Sequence, residues 1–156
     1  MSMHNTHHRA PRGRAHGFSL IELMIVVTVV SILAALANAS YRSYMLRTNR
    51  TEGRIALMAI QSAQERYFIQ NNQYATTLAT VIAPAASGGL GVTNLTSGGV
   101  TPNGYYTISF QVATPTTYTI QAVATGPQTK DTAACLTFTV NDQGQRTPAD
   151  STGCWK

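Results

Sequence analysis

Residues 17–37 read GFSLIELMIVVTVVSILAALA, and from residue 18 onward this stretch carries one charge, Glu22. At 1.5 Å per residue, the apolar run 18–37 makes a helix roughly 30 Å long, the thickness of a bilayer core. A helix buried in a soluble core would rarely be apolar on every face. A secretory signal peptide also pairs a basic leader with an apolar stretch. This run is longer than the usual signal core, though, and no small-x-small cleavage site leads into a separate polar domain. The helical pattern continues past it instead.

Glu22 is the informative residue. A carboxylate in hydrocarbon costs about 2.5–3.5 kcal/mol on insertion scales, so such a charge is seldom idle. It sits four residues after Phe18, near one membrane face, and calls for a positive partner inside the membrane. Upstream lie Arg9, Arg12, Arg14 and all four histidines: His4, His7, His8 and His16. The leader arginines favour a cytoplasmic N-terminus, whereas Arg42, Arg47, Arg50 and Arg54 on the other flank oppose it. Charge counting alone therefore leaves topology open.

A basic leader ending in glycine, then Phe-Ser-x-x-Glu and an apolar helix, resembles the processing site of type IV prepilins and type II secretion pseudopilins. The resemblance implies that a membrane aspartic peptidase, the prepilin peptidase, cuts between Gly17 and Phe18. It also implies N-methylation of Phe18, and that Glu22 is the assembly carboxylate, meeting the new amine of a neighbouring subunit. Cutting there removes every histidine and leaves eight basic and six acidic side chains, a net of about +2 against +5 for the whole chain. The chain departs from the family pattern at Ser31 and Ala39, where many pilins carry glycine and a helix-breaking proline. Alanine is a strong helix former, so these residues do not favour local melting.

The rest of the chain has room for one modest domain: of 156 residues, 44% are hydrophobic and many of those sit in the N-terminal block. A small core of this kind usually needs a cross-link or partners. Cys135 and Cys154, the two cysteines, predict a disulfide in an exported domain. Closing a loop of that size stabilises by about 3 kcal/mol in the chain-entropy model.

Between residues 41 and 69 the pattern turns amphipathic. Ala56, Ala59, Ala63 and Tyr67 recur at helical spacing beside Leu57 and Ile60, while Arg47, Arg50, Arg54, Gln61, Glu65 and Arg66 supply polar positions read as a solvated or subunit-facing side. Gly53 costs about 1 kcal/mol in such a helix and is expected to allow a bend. Residues 71–104, rich in Asn, Thr, Gly and Ser, have no period and read as a long connection offering a functional surface. Gly88, Gly89 and Gly91 lack the Lys-Ser/Thr pair and the strand-to-helix context of a phosphate loop.

Strand signals follow. Residues 105–113 alternate with Tyr106, Ile108, Phe110 and Val112 on one face. Residues 117–125 repeat the pattern with Tyr118, Ile120, Ala122 and Ala124, after a turn at Thr114-Pro115-Thr116. Residues 135–140 form a third strand with Leu136, Phe138 and Val140 inward, and the Asn141-Asp142-Gln143-Gly144 turn leads to a short fourth. The predicted fold is α+β, one long helix lying on a small antiparallel sheet. The chain divides into a leader at 1–17, an assembly helix at 18–40, an amphipathic half at 41–70, a connection at 71–104 and the sheet with its disulfide-bounded end at 105–156.

The segment Cys135 to Val140, followed by Asn141-Asp142-Gln143-Gly144 and Gly153-Cys154-Trp155, also resembles the end of PilE-type minor pilins. Glu65-Arg66-Tyr67-Phe68 and Asn72-Gln73-Tyr74 extend the likeness over most of the processed chain. The resemblance implies a pilus subunit serving adhesion, twitching motility or DNA uptake. It would be stored in the bacterial inner membrane with its globular part periplasmic, then carried into an extracellular filament. Its partners would be other pilin subunits, the prepilin peptidase and the inner membrane. Two alternatives are a secretion pseudopilin, which usually lacks the terminal bridge, and a DNA-binding competence pilin using the segment Arg42–Arg66 or a loop patch. Few lysines and no basic–aromatic alternation make DNA binding weak on sequence grounds. No catalytic set is visible: a processed chain without histidine excludes triads and His-ligated zinc. Asp131, Asp142 and Asp150 do not follow a calcium-loop spacing. No cofactor is expected.

Overall fold

The computed structural model describes residues 17–155. The chain forms two compact units that divide between Ala39 and Ser40, although one helix, α1 (Leu20–Asn71), runs through the division. In the first unit every large apolar side chain from Phe18 to Leu36 is at least half exposed. The segment is long and apolar enough to cross a membrane, with a mean hydropathy of 2.7. Its hydroxyls are satisfied within the helix: Thr28 Oγ1 donates to the Met24 carbonyl at 2.8 Å and Ser31 Oγ to that of Val27 at 2.7 Å. Neither therefore presents an unpaired polar group to lipid. The helix continues through Ser31 and Ala39, consistent with alanine at the second position.

In the second unit α1 buries one stripe, spaced alternately by three and four residues: Arg50, Gly53, Leu57, Ile60 and Gln64 are all buried, and Tyr67 is half-buried. That stripe meets an antiparallel sheet of four strands in the order β1-β2-β3-β4: β1 (Tyr106–Ala113), β2 (Tyr118–Ala124), β3 (Thr137–Asn141) and β4 (Arg146–Thr147). The inward positions Tyr106, Ile108, Tyr118, Ile120, Ala122, Phe138 and Val140 are 2% exposed or less. These are the side chains that two-residue alternation places on one face. Burying each large one stabilises by about 1.5–3 kcal/mol.

The structure corrects the sequence reading in several places. Val112 does not share the face of Tyr106 and Ile108. A bulge places Phe110 opposite Ile120 but Val112 opposite Thr119, so the extra residue, Gln111, turns Val112 outward to 43% exposure. The third strand begins at Thr137; Cys135 lies in a 3₁₀ turn (Ala133–Cys135) and Leu136 precedes the strand. Residues 71–104 are more than a surface connection. They contain a short helix, α2 (Leu78–Ile82), capped by Thr77, whose Oγ1 accepts from the Thr80 N–H at 3.2 Å. They also send Ala75, Val81, Leu90, Val92 and Leu95 into the core. Gly53 serves close packing against Tyr106.

Candidate assembly helix and cationic clefts

The two ends of the chemistry lie in separate units. At the start of α1 the Ser19 carbonyl accepts from the backbone N–H groups of Glu22 and Leu23 at 3.1 and 3.2 Å, opening the helix immediately after the Gly17–Phe18 junction. Phe18 is 84% exposed, and Glu22 is exposed in the first turn. There its charge opposes the positive end of the helix dipole favourably. The leader arginines and the histidines lie outside the described residues.

The second unit holds a polar clamp that sequence reasoning missed. Arg50 Nε donates to Asp131 Oδ2 at 2.7 Å and its second guanidinium nitrogen to Oδ1 at 2.6 Å, a bidentate pair with side chains 9% and 3% exposed. The Thr132 N–H adds 2.7 Å to the same carboxylate. Gln128, fully buried, donates from one amide nitrogen to Asp131 Oδ2 and to the Leu46 carbonyl of α1, each at 2.9 Å. The pair holds Arg50 above its ordinary range, chiefly through the hydrogen bond to Asp131 and against the pull of burial. Burial pushes the Asp131 carboxyl up, but the bonds from Arg50 and Thr132 and the charge of Arg50 outweigh it and hold the group below its usual range.

Arg50 thus does not belong to the solvated or subunit-facing side on which its sequence pattern placed it, and Asp131 is held in an ion pair. A signal for Arg50 existed: it continues the stripe of Gly53, Leu57, Ile60 and Gln64 one turn toward the N-terminus. Gln64 is the second polar member. Its Nε2 donates to the Ala75 carbonyl at 2.8 Å and its Oε1 accepts from the Ala75 N–H at 2.9 Å. Nothing local flags Asp131, which is 81 positions away from its partner.

Two clefts flank this clamp and share Leu46 and Lys130. The larger, about 680 Å³, is lined by Arg47, Arg50, Lys130, Thr132, Cys135 and Gly153 among others. Arg47 and Lys130 are exposed there, while the charge of Arg50 is cancelled by Asp131. The smaller, about 440 Å³, opens beside Tyr41, Arg42 and Tyr105. Cys135 and Cys154 are joined, with Cα atoms 5.4 Å apart, as two cysteines in an exported domain predicted. The bridge brings Trp155 edge-on to Phe138 at 5.2 Å and under the Arg146 guanidinium at 5.3 Å. Asp142 accepts from Thr117 Oγ1 at 2.7 Å, a turn contact. Among the described residues there is no group of His, Cys, Asp and Glu able to hold a metal ion.

Comparison with known proteins matches both units. The prokaryotic N-terminal methylation motif covers residues 12–38. The family described as type IV minor pilin ComP, DNA uptake sequence receptor, covers residues 39–139. No curated protein matches the chain. Solved structures similar to it include a type IV pilin from Shewanella oneidensis, at 22% identity, covering 71% of this chain and 98% of that one with a TM-score of 0.48. The non-core minor pilin PilV of Neisseria meningitidis is similar at 24% identity, covering 67% and 87% with a TM-score of 0.45. Because the match over 39–139 takes in more than half of the chain and abuts the methylation motif, the chain belongs to the ComP family of type IV minor pilins, structural subunits of the type IV pilus.

Proposed function

We propose that this minor pilin is a DNA-binding subunit, processed between Gly17 and Phe18, methylated at Phe18 and assembled through Glu22. The observation that carries the reading is the junction of two matches in one chain, the methylation motif ending at residue 38 and the DNA-receptor family beginning at 39. Before assembly residues 18–40 anchor the subunit in the inner membrane, with residues 41–156 on the periplasmic side. Residues 41–70 carry the helix into that part, 71–104 form the connection and 105–156 the sheet and its closed end. Assembly then carries the subunit into the extracellular filament with other pilins as neighbours.

Two features support the assembly role. Among the described residues the apolar surface of Phe18 to Leu36 has no partner. On the outer side of α1 an exposed stripe, Tyr41, Tyr44, Thr48, Thr51, Ile55 and Met58, repeats at three- and four-residue spacing, the interval at which one helix meets another. For DNA, Arg47 and Lys130 both line the larger cleft and, among the described residues, neither is paired with a carboxylate, which leaves them free to contact phosphates. The role is binding and structural, and no catalytic step is assigned.

The test is retention of duplex DNA on the purified full-length chain as salt is raised. Affinity should fall with a log–log slope of about −0.9 per phosphate contacted, and Arg47→Gln with Lys130→Gln should flatten the slope by about 2. Retention that ignores salt, or that survives both substitutions unchanged, refutes this placement.

A further inference from the structure

The smaller cleft differs in chemistry from the larger one. Its lining is mostly apolar, with Tyr41, Met45, Leu46, Tyr105 and Pro127, and its polar members are Arg42, Asn49 and Lys130. Arg50–Asp131 is the one salt bridge among the described residues, so the two cations that line the cleft, Arg42 and Lys130, have no carboxylate partner there. A duplex backbone presents phosphates and sugars and gains little from an apolar wall. An amphiphile with one anionic head uses both parts.

Position points the same way. Tyr41 and Arg42 follow the apolar segment 18–37 by four and five residues. Aromatic and basic side chains at that distance belong to the headgroup level of a membrane. Arginine on this flank also runs against the usual charge asymmetry of a spanning helix, and a bound anionic headgroup supplies the missing countercharge. We propose that the cleft of Tyr41, Arg42, Tyr105 and Lys130 binds the phosphate headgroup of an anionic phospholipid of the inner membrane. The cations hold the phosphate and the aromatic and proline walls hold the glycerol and upper acyl carbons. This rests on the reading that residues 18–37 cross the membrane. It gives the stored subunit a lipid to release when it enters a filament.

The test uses the full-length chain in detergent, with phosphatidylglycerol or phosphatidylcholine added and retained lipid counted by native mass spectrometry. Phosphatidylglycerol should be retained in preference. Arg42→Gln and Lys130→Gln should each lower that retention about fivefold. Arg66→Gln, outside the cleft, should leave it unchanged. Equal retention of the two lipids, or retention indifferent to Arg42 and Lys130, overturns the proposal. So does displacement of the lipid by inorganic phosphate at equal concentration, which would mark a bare anion site. Displacement by duplex DNA whose own binding fails with Arg42→Gln would assign the cleft to nucleic acid instead. Flotation with neutral vesicles, run in parallel, reads membrane insertion alone. A chain that does not float removes the membrane reading and the lipid site together, whereas one that floats but shows no lipid preference removes only the site.

Discussion

Gly53 lies against the ring of Tyr106 so closely that a Cβ on the glycine would stand 2.9 Å from Tyr106 Cγ and 3.0 and 3.1 Å from its Cδ atoms. The ring is fully buried and cannot swing aside. Burial also raises the Tyr106 hydroxyl to about 12, so it stays protonated at ordinary pH. The glycine is what lets helix and sheet approach.

Gly53→Ala therefore sets two effects against each other. Helix propensity gains about 1 kcal/mol, while overpacking a closed core costs about 1–3 kcal/mol. The expected outcome is a net loss of stability, read as a lower unfolding temperature. The exposed control Ser62→Ala should show none.

Asp131 should make the fold acid-sensitive in a defined direction. Its folded carboxyl sits below its ordinary 3.8, so its stabilising contribution is complete above that value and is lost as pH falls toward the folded pKa. Asp131→Asn leaves Arg50 buried without its counterion and should cost about 3 kcal/mol at neutral pH. It should also flatten the acid limb of the stability curve. An acid limb of unchanged shape in that variant would remove Asp131 as its source.

The sequence made the long helix, the inward faces of β2 and β3 and the closing bridge readable, because each rests on periodicity or residue type. Tyr118, Ile120 and Ala122 alternate without interruption and are buried without interruption. The periodic argument failed where one residue changes the count, as Gln111 does before Val112. It also failed where polar residues pair across long separations. Arg50 and Asp131 each look solvated alone; only their meeting makes burial affordable. Residues 71–104 hid their core members for a related reason: Val81 sits in a helix of five residues, too short to show a period, and Leu90, Val92 and Leu95 enter from irregular segments with no regular spacing. The N-terminal methylation motif over residues 12–38 was legible because it rests on local sequence rather than on tertiary contacts.

Gln64 fastens the start of that connection to α1. Gln64→Ala would strand both the N–H and the carbonyl of Ala75 in a buried setting and should cost about 2 kcal/mol. Gln64→Glu keeps an acceptor for the Ala75 N–H but sets a buried carboxylate against the Ala75 carbonyl, and should cost at least as much as the alanine. Hydrogen exchange at the Ala75 amide should report the change, with faster exchange in both variants.

Glu22→Ala should separate insertion from assembly. The substitution removes a charge from the apolar segment, so membrane association should be kept or strengthened. Incorporation into sheared pili should drop, and wild-type incorporation would sink the pairing with a neighbour's amine.

The Gln128 contact to the Leu46 carbonyl has a mechanical consequence. A filament under tension loads each subunit along its helix, and a helix alone would stretch turn by turn. At Leu46 and Arg50, however, the helix is fastened through Gln128 and Asp131 to a segment that ends at Cys135, one side of a covalently closed loop. Pull arriving from the N-terminal direction is divided there between β2, which ends at Ala124, and the disulfide-closed loop that begins at Cys135.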